Sequence, residues 1–95
     1  MQVVDLRNIA LSLPGTTEDI KWGDHLCFNI GGKMYLVTSP DLVPSTACFK
    51  VTPDEFDELL AQPGIQKHAH LARYHWIHVS NINQLSPANW QHYLR

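Results

Sequence analysis

Gly31-Gly32 sets the first constraint on the fold. Two runs of aromatic, aliphatic and β-branched residues flank this dipeptide within the stretch Lys21 to Thr38. Adjacent glycines adopt positive φ without steric cost, so the pair predicts a two-residue hairpin turn. Lys33 then opens the second strand. A lone hairpin is barely stable in water and needs further strands or a covering helix. The rest of the chain supplies both.

Before the hairpin, Val3 to Leu13 reads as an amphipathic helix in which Val3, Leu6, Ala10 and Leu13 recur at helical spacing. Pro14-Gly15 stops it, Thr16 to Asp19 reads as a polar connection, and Ile20 to Trp22 as a short strand. In the hairpin, Leu26, Phe28 and Ile30 share one face; alternation sets Met34 and Leu36 opposite Lys33, Tyr35 and Val37. A loop with two prolines follows, then a strand over Thr46 to Val51 with Ala47, Phe49 and Val51 on one face. Thr52-Pro53-Asp54-Glu55 is the sharpest local signal. Threonine caps the free amides, proline fits the first helical position, and the glutamate reaches back to close a capping box. That helix buries Phe56, Leu59 and Leu60 and ends at Pro63-Gly64. Ile65 to Arg73 reads either as a helical turn or as irregular chain. Tyr74 to Val79 reads as a strand, with Trp76 and His78 on one face and His75, Ile77 and Val79 on the other. Ser86-Pro87 opens a last helix carrying Trp90, Tyr93 and Leu94. The order is helix, three or four antiparallel strands, helix, strand, helix. It predicts an α+β two-layer sandwich, an antiparallel sheet with helices packed on one face.

At 95 residues the chain has room for one domain, residues 1–95, with a single core. Seven basic residues against nine acidic ones leave a formal net charge of -2, which works against phosphate binding unless the cations cluster. There is neither a basic region followed by an apolar run nor a stretch long enough to span a bilayer, so the expected setting is cytoplasmic with no membrane partner. Cys27 and Cys48, in strands among apolar neighbours, read as two small buried thiols.

The sequence offers little to an enzyme. Six histidines invite a metal, but His68/His70 and His75/His78 lack the i, i+4 spacing of a helical zinc pair, and neither CxxC nor HExxH accompanies them. A Cys–His nucleophile using Cys27 or Cys48 with His25 or His75 requires a lowered thiol pKa and exposure. P-loop, GxGxxG and GxSxG motifs are absent. The expectation is a non-enzymatic protein with no catalytic residue, metal ligand or cofactor. The basic residues fall beside aromatics: Lys21 at Trp22, and Arg73 at Tyr74-His75-Trp76. Lys33 and Lys50 are expected on the same sheet face, away from Phe28 and Phe49.

Leu13-Pro-Gly-Thr-Thr-Glu18, Trp22-Gly23, Phe28, Gly32-Lys-Met-Tyr35, Phe49-Lys-Val51, Pro63-Gly64 and His70-Leu-Ala-Arg-Tyr-His-Trp76 together resemble, in order and spacing, the MmcQ/YjbR family of bacterial proteins. The resemblance implies a fold like that of CyaY and frataxin. Iron chemistry does not come with that fold, because the first helix carries only Asp5 as an acid. It also implies a "double wing" DNA-binding role, in which β-hairpins present basic side chains to nucleic acid, by position Lys33, Lys50 and Arg73. With Lys21 and Lys67 added from their place beside aromatics and in the segment after the second helix, the expectation is weak, salt-dependent contact with phosphates. Many of the same positions are aromatic or histidine. The alternative is therefore a small-molecule or protein-interaction domain with a pocket around Trp22, Tyr35, His70, His75 and Trp76.

Overall fold

The computed structural model describes residues 1–21 and 23–94. In chain order it contains α1 (Val3–Leu11), β1 (Thr16–Lys21), β2 (His25–Ile30), β3 (Lys33–Ser39), β4 (Thr46–Lys50), α2 (Pro53–Leu60), β5 (Ile65–Lys67), β6 (Trp76–Val79) and α3 (Pro87–Tyr93). The strands form one antiparallel sheet in the order β1-β2-β3-β4-β6-β5. The three helices cover one face, so the α+β sandwich expected from the sequence is the fold observed. Among the described residues no helix is long and apolar enough to cross a membrane.

The core lies between sheet and helices. Phe28, Leu36, Phe49 and Ile77 from the strands meet Leu6, Ala10, Leu59 and Trp90 from the helices, all of them buried. The Thr52 capping box is present: its hydroxyl accepts from the Glu55 amide at 3.2 Å, and the Glu55 carboxylate accepts from the Thr52 amide at 3.1 Å. A bidentate ion pair from Arg7 to Glu18, at 2.6 and 3.0 Å, ties α1 to β1.

Four local expectations change. Thr16 to Asp19 is not a connection but the first part of edge strand β1, which runs to Lys21. Its sequence, Thr-Thr-Glu-Asp-Ile-Lys, is too polar to show strand periodicity. Charged side chains of that kind also protect an edge strand from pairing with another chain. Trp22, expected to close that strand, lies outside the described residues.

His75 is not in a strand. It caps a short 3-10 turn, Ala72–Tyr74, at φ 64°, and β6 begins only at Trp76. The ambiguous stretch before it resolves into β5 and the loop that leads into this turn.

The fourth change is a bulge. Phe28 pairs with Leu36 but Asn29 pairs with Met34, so β3 carries one extra residue at Tyr35. An extra residue reverses the alternation beyond it. Tyr35 therefore points toward the helices, its hydroxyl donating to the Ala10 carbonyl at 3.3 Å and lying 3.0 Å from the Thr16 hydroxyl. Met34 falls on the opposite face, and Lys33, paired with Ile30, falls in phase with the helix-covered face. Lys50, one residue past Phe49, is on the other face. The expectation that Lys33 and Lys50 share a face is thus corrected by one inserted residue.

Candidate functional site

The sheet face turned away from the helices carries Cys27 and Asn29 from β2, Met34 and Val37 from β3, Cys48 from β4, and Trp76 and His78 from β6. An uncovered face of an antiparallel sheet is ordinarily polar and wet. Here much of it is apolar, and residues 68–71, between β5 and the 3-10 turn, lie over part of it. The result is a cavity of about 690 Å³. Met34, Val37, Cys48, Trp76 and His78 wall it from the sheet, His68, His70 and Leu71 from the overlying segment, and Leu42 from the β3–β4 loop, with His25 at the β2 end. Among the described residues, its lining contains four imidazoles and no Lys, Arg, Asp or Glu.

The overlying segment is held by its own hydrogen bonds. The Nδ1 of His68 accepts from the backbone amides of His70 at 3.0 Å and Leu71 at 3.1 Å. The His68 amide donates to the Trp76 carbonyl at 3.0 Å, and the Trp76 amide donates to the Leu71 carbonyl at 3.3 Å. Burial, followed by the nearby His70 and His78 rings, pulls the His68 imidazole below the usual histidine range. On the sheet, Cys48 and His78 are direct cross-strand partners, and the Cys48 Sγ lies 3.3 Å from the His78 Nδ1.

The cysteine expectations divide. Both thiols are free; Cys27 is fully buried and Cys48 half-buried. Cys48 has a histidine partner, but that partner is His78, not the His25 or His75 paired with it on sequence grounds. Burial pushes the Cys48 thiol up to about 11, the reverse of what a nucleophile needs. Relative to a thiol at 9.0, that shift implies thiolate alkylation at pH 7.5 about 100-fold slower, with the rate still climbing above pH 10. A pH series of iodoacetamide labelling, followed by mass spectrometry, measures this. Fast labelling at neutral pH would instead reveal a thiolate–imidazolium pair. Among the described residues no three His, Cys, Asp or Glu side chains come together to hold a metal ion.

Of the pocket residues expected from the sequence, His70 and Trp76 line the cavity. Tyr35 does not, because the bulge delivers it to α1. His75 does not either: its left-handed backbone turns the ring against Phe56 of α2, with centroids 5.4 Å apart. Sequence reasoning did not place His25, His68, His78, Cys48, Met34 or Val37 in a common site. The alternation that set Trp76 and His78 on one face was the available signal.

The five candidate DNA-contacting cations are only partly gathered. Lys33 at the hairpin tip, Lys50 at the end of β4, and Lys67 lie along one end of the sheet, the end at which β6 starts. Arg73 precedes β6 at that end, with its guanidinium 4.8 Å from the Tyr74 ring. They are split between the two faces, and the acidic first turn of α2, Asp54 and Glu55, follows Lys50 at the same end. Lys21 is at the opposite end, on edge strand β1. Lys67 is on the other edge, five strand spacings or about 24 Å across the sheet.

The fold and this cavity define a small α+β domain with a histidine-lined cavity on the open face of its sheet. The chain belongs to the YjbR family, whose model matches residues 11–95. It is similar to the crystal structure of Deinococcus radiodurans protein DR2400, which carries a DUF419 domain. The identity is 30%, the TM-score 0.83, and the match covers 99% of this chain and 73% of that one. No curated protein matches the chain.

Proposed function

We propose that this YjbR domain is a non-enzymatic binding module that holds a small organic ligand on the open face of its sheet. The observation that carries the reading is the cavity itself. Its volume is within the range of small-molecule sites, and its walls combine apolar and aromatic surface with a few polar groups. Burial keeps the Cys48 thiol beside His78 protonated, which argues against nucleophilic chemistry at that pair.

A cocktail screen by 15N-HSQC, with thermal shift in parallel, tests it. At a ligand concentration ten times Kd, mass action raises stability by about 1.4 kcal/mol, several degrees in Tm for a domain this size. Shifts should concentrate at residues 68–71 and at Cys48, Trp76 and His78. A metabolite and fragment library that leaves these resonances unmoved would overturn the reading.

DNA binding is the second reading. It is favoured by the gathering of Lys33, Lys50, Lys67 and Arg73 at one end of the sheet. It is weakened by their division between faces, by the acidic start of α2 beside Lys50, and by the net charge of -2. Fluorescence anisotropy with duplex DNA at two salt concentrations separates the two readings. Salt-dependent micromolar binding would support the wings, whereas no binding at low salt would leave the cavity as the working surface.

A further inference from the structure

We infer that the cavity is a donor site for an apolar carboxylate, with the Nε2–H groups of His68 and His78 as the two donors. This inference rests on the binding reading above and names the class of ligand it concerns. It follows from where each imidazole has already committed its Nδ1.

His68 Nδ1 accepts two backbone amides, and so carries no proton. A neutral imidazole bears one N–H, so His68 is the Nε2–H tautomer. Protonating Nδ1 would break both bonds that hold residues 68–71 in place, and burial opposes the charge as well. The turn thereby fixes a neutral ring with its remaining nitrogen as a donor.

His78 reaches the same state by a different route. Its Nδ1 lies 3.3 Å from a thiol that burial keeps protonated. We assign the S–H as the donor in that contact, with Nδ1 accepting, which again leaves Nε2–H free to donate. A histidine whose tautomer is set by the bond made at its other nitrogen is a common device for aiming a donor. The remaining two imidazoles differ: His25 Nδ1 faces the Asp24 carboxylate at 3.0 Å, and the His70 ring is exposed.

Two donors in a lining whose described residues include no carboxylate suit an acceptor, and the Met34, Val37, Leu71 and Trp76 surface suits an apolar body. A carboxylate brought among apolar walls is costly unless it is hydrogen-bonded. Two N–H groups meet that requirement, and hydrogen bonds to an ionised acceptor are about twice as strong as neutral ones. An ammonium finds no acceptor at either ring.

The test compares one apolar body with three head groups: indole-3-acetate, tryptamine and indole, titrated by 15N-HSQC at pH 7.5. The expected order is carboxylate tightest, by about 10-fold or more over the amine, with indole between them. His78→Phe should remove that preference for carboxylate while leaving indole affinity within about 2-fold; a merely structural role would weaken both together. Long-range 15N–1H spectra of the free protein provide an independent check. Both rings are expected as Nε2–H tautomers, and an Nδ1–H signal from either would overturn the inference. Binding of all three compounds with equal affinity would overturn the carboxylate assignment and leave the cavity a ligand site. If none of them moves residues 68–71, the carboxylate assignment falls, and the general library screen then decides whether the binding reading falls too.

Discussion

Trp90→Ala is expected to cost about 3–5 kcal/mol, a large share of the stability of a domain this size. Trp90 is fully buried and is the largest side chain in the core. Its ring packs on Phe49 with centroids 4.9 Å apart and an interplanar angle of 60°, joining the last helix to the middle of the sheet. Its Nε1–H donates to the Ile82 carbonyl at 2.8 Å, so truncation leaves both a cavity and a buried acceptor without its partner. Trp90→Phe keeps most of the volume and loses the hydrogen bond, and should cost about 1–3 kcal/mol. Urea unfolding followed by circular dichroism measures both variants. A midpoint for Trp90→Ala close to that of the parent would mean that α3 does not belong to the cooperative core.

Gly64→Ala is the second large effect. Gly64 sits at φ +83°, and a Cβ there would stand within 2.4 Å of the Gln84 Nε2. That amide donates to the Gly64 carbonyl at 2.9 Å, while the Gln84 Oε1 accepts from the Asn81 amide at 3.3 Å. One glutamine thus clasps the start of β5 to the turn that leads into α3. The side chain is able to swing away, but it gives up the clasp when it does. The backbone conformation costs about 1 kcal/mol for a non-glycine residue, and the lost hydrogen bond about another. Gly32→Ala is the matched control. It has φ +77° and nothing within 4 Å, so only the backbone cost applies. Gly64→Ala should therefore be the more damaging by about 1 kcal/mol. Equal losses would show that the Gln84 contact contributes nothing.

What the sequence disclosed is what depends on neighbours in the chain. The Gly31-Gly32 turn, the Thr52 capping box and the alternation in β4 are local signals, and each appears as expected. β1 was hidden because an edge strand has only one partner and its charges mask the period-2 pattern. The cavity was hidden for a different reason. Its Cys48–His78 contact joins residues 30 apart, and depends on the β4–β6 register, which no local pattern states. Residues 68–71 cover the sheet through backbone hydrogen bonds to a histidine ring rather than through apolar periodicity. His70 and Trp76, which do line the cavity, could be picked out because they stand in a motif dense with histidines and aromatics. Tyr35 and His75 were misplaced by a bulge and by a left-handed residue, each a deviation of one residue from the alternation assumed for it.

The extra residue at Tyr35 divides the hairpin into two territories. Between the turn and the bulge, Met34 serves the cavity, whereas Lys33 one step away belongs to the opposite side of the sheet. Beyond the bulge the tyrosine hydroxyl anchors the strand to α1, at Ala10. The tip is therefore free to vary in charge without altering the chemistry of the histidine-lined face, and that face can be retuned at Met34 or Val37 without disturbing the tip. Two surfaces of one hairpin are thus insulated from each other by a single residue.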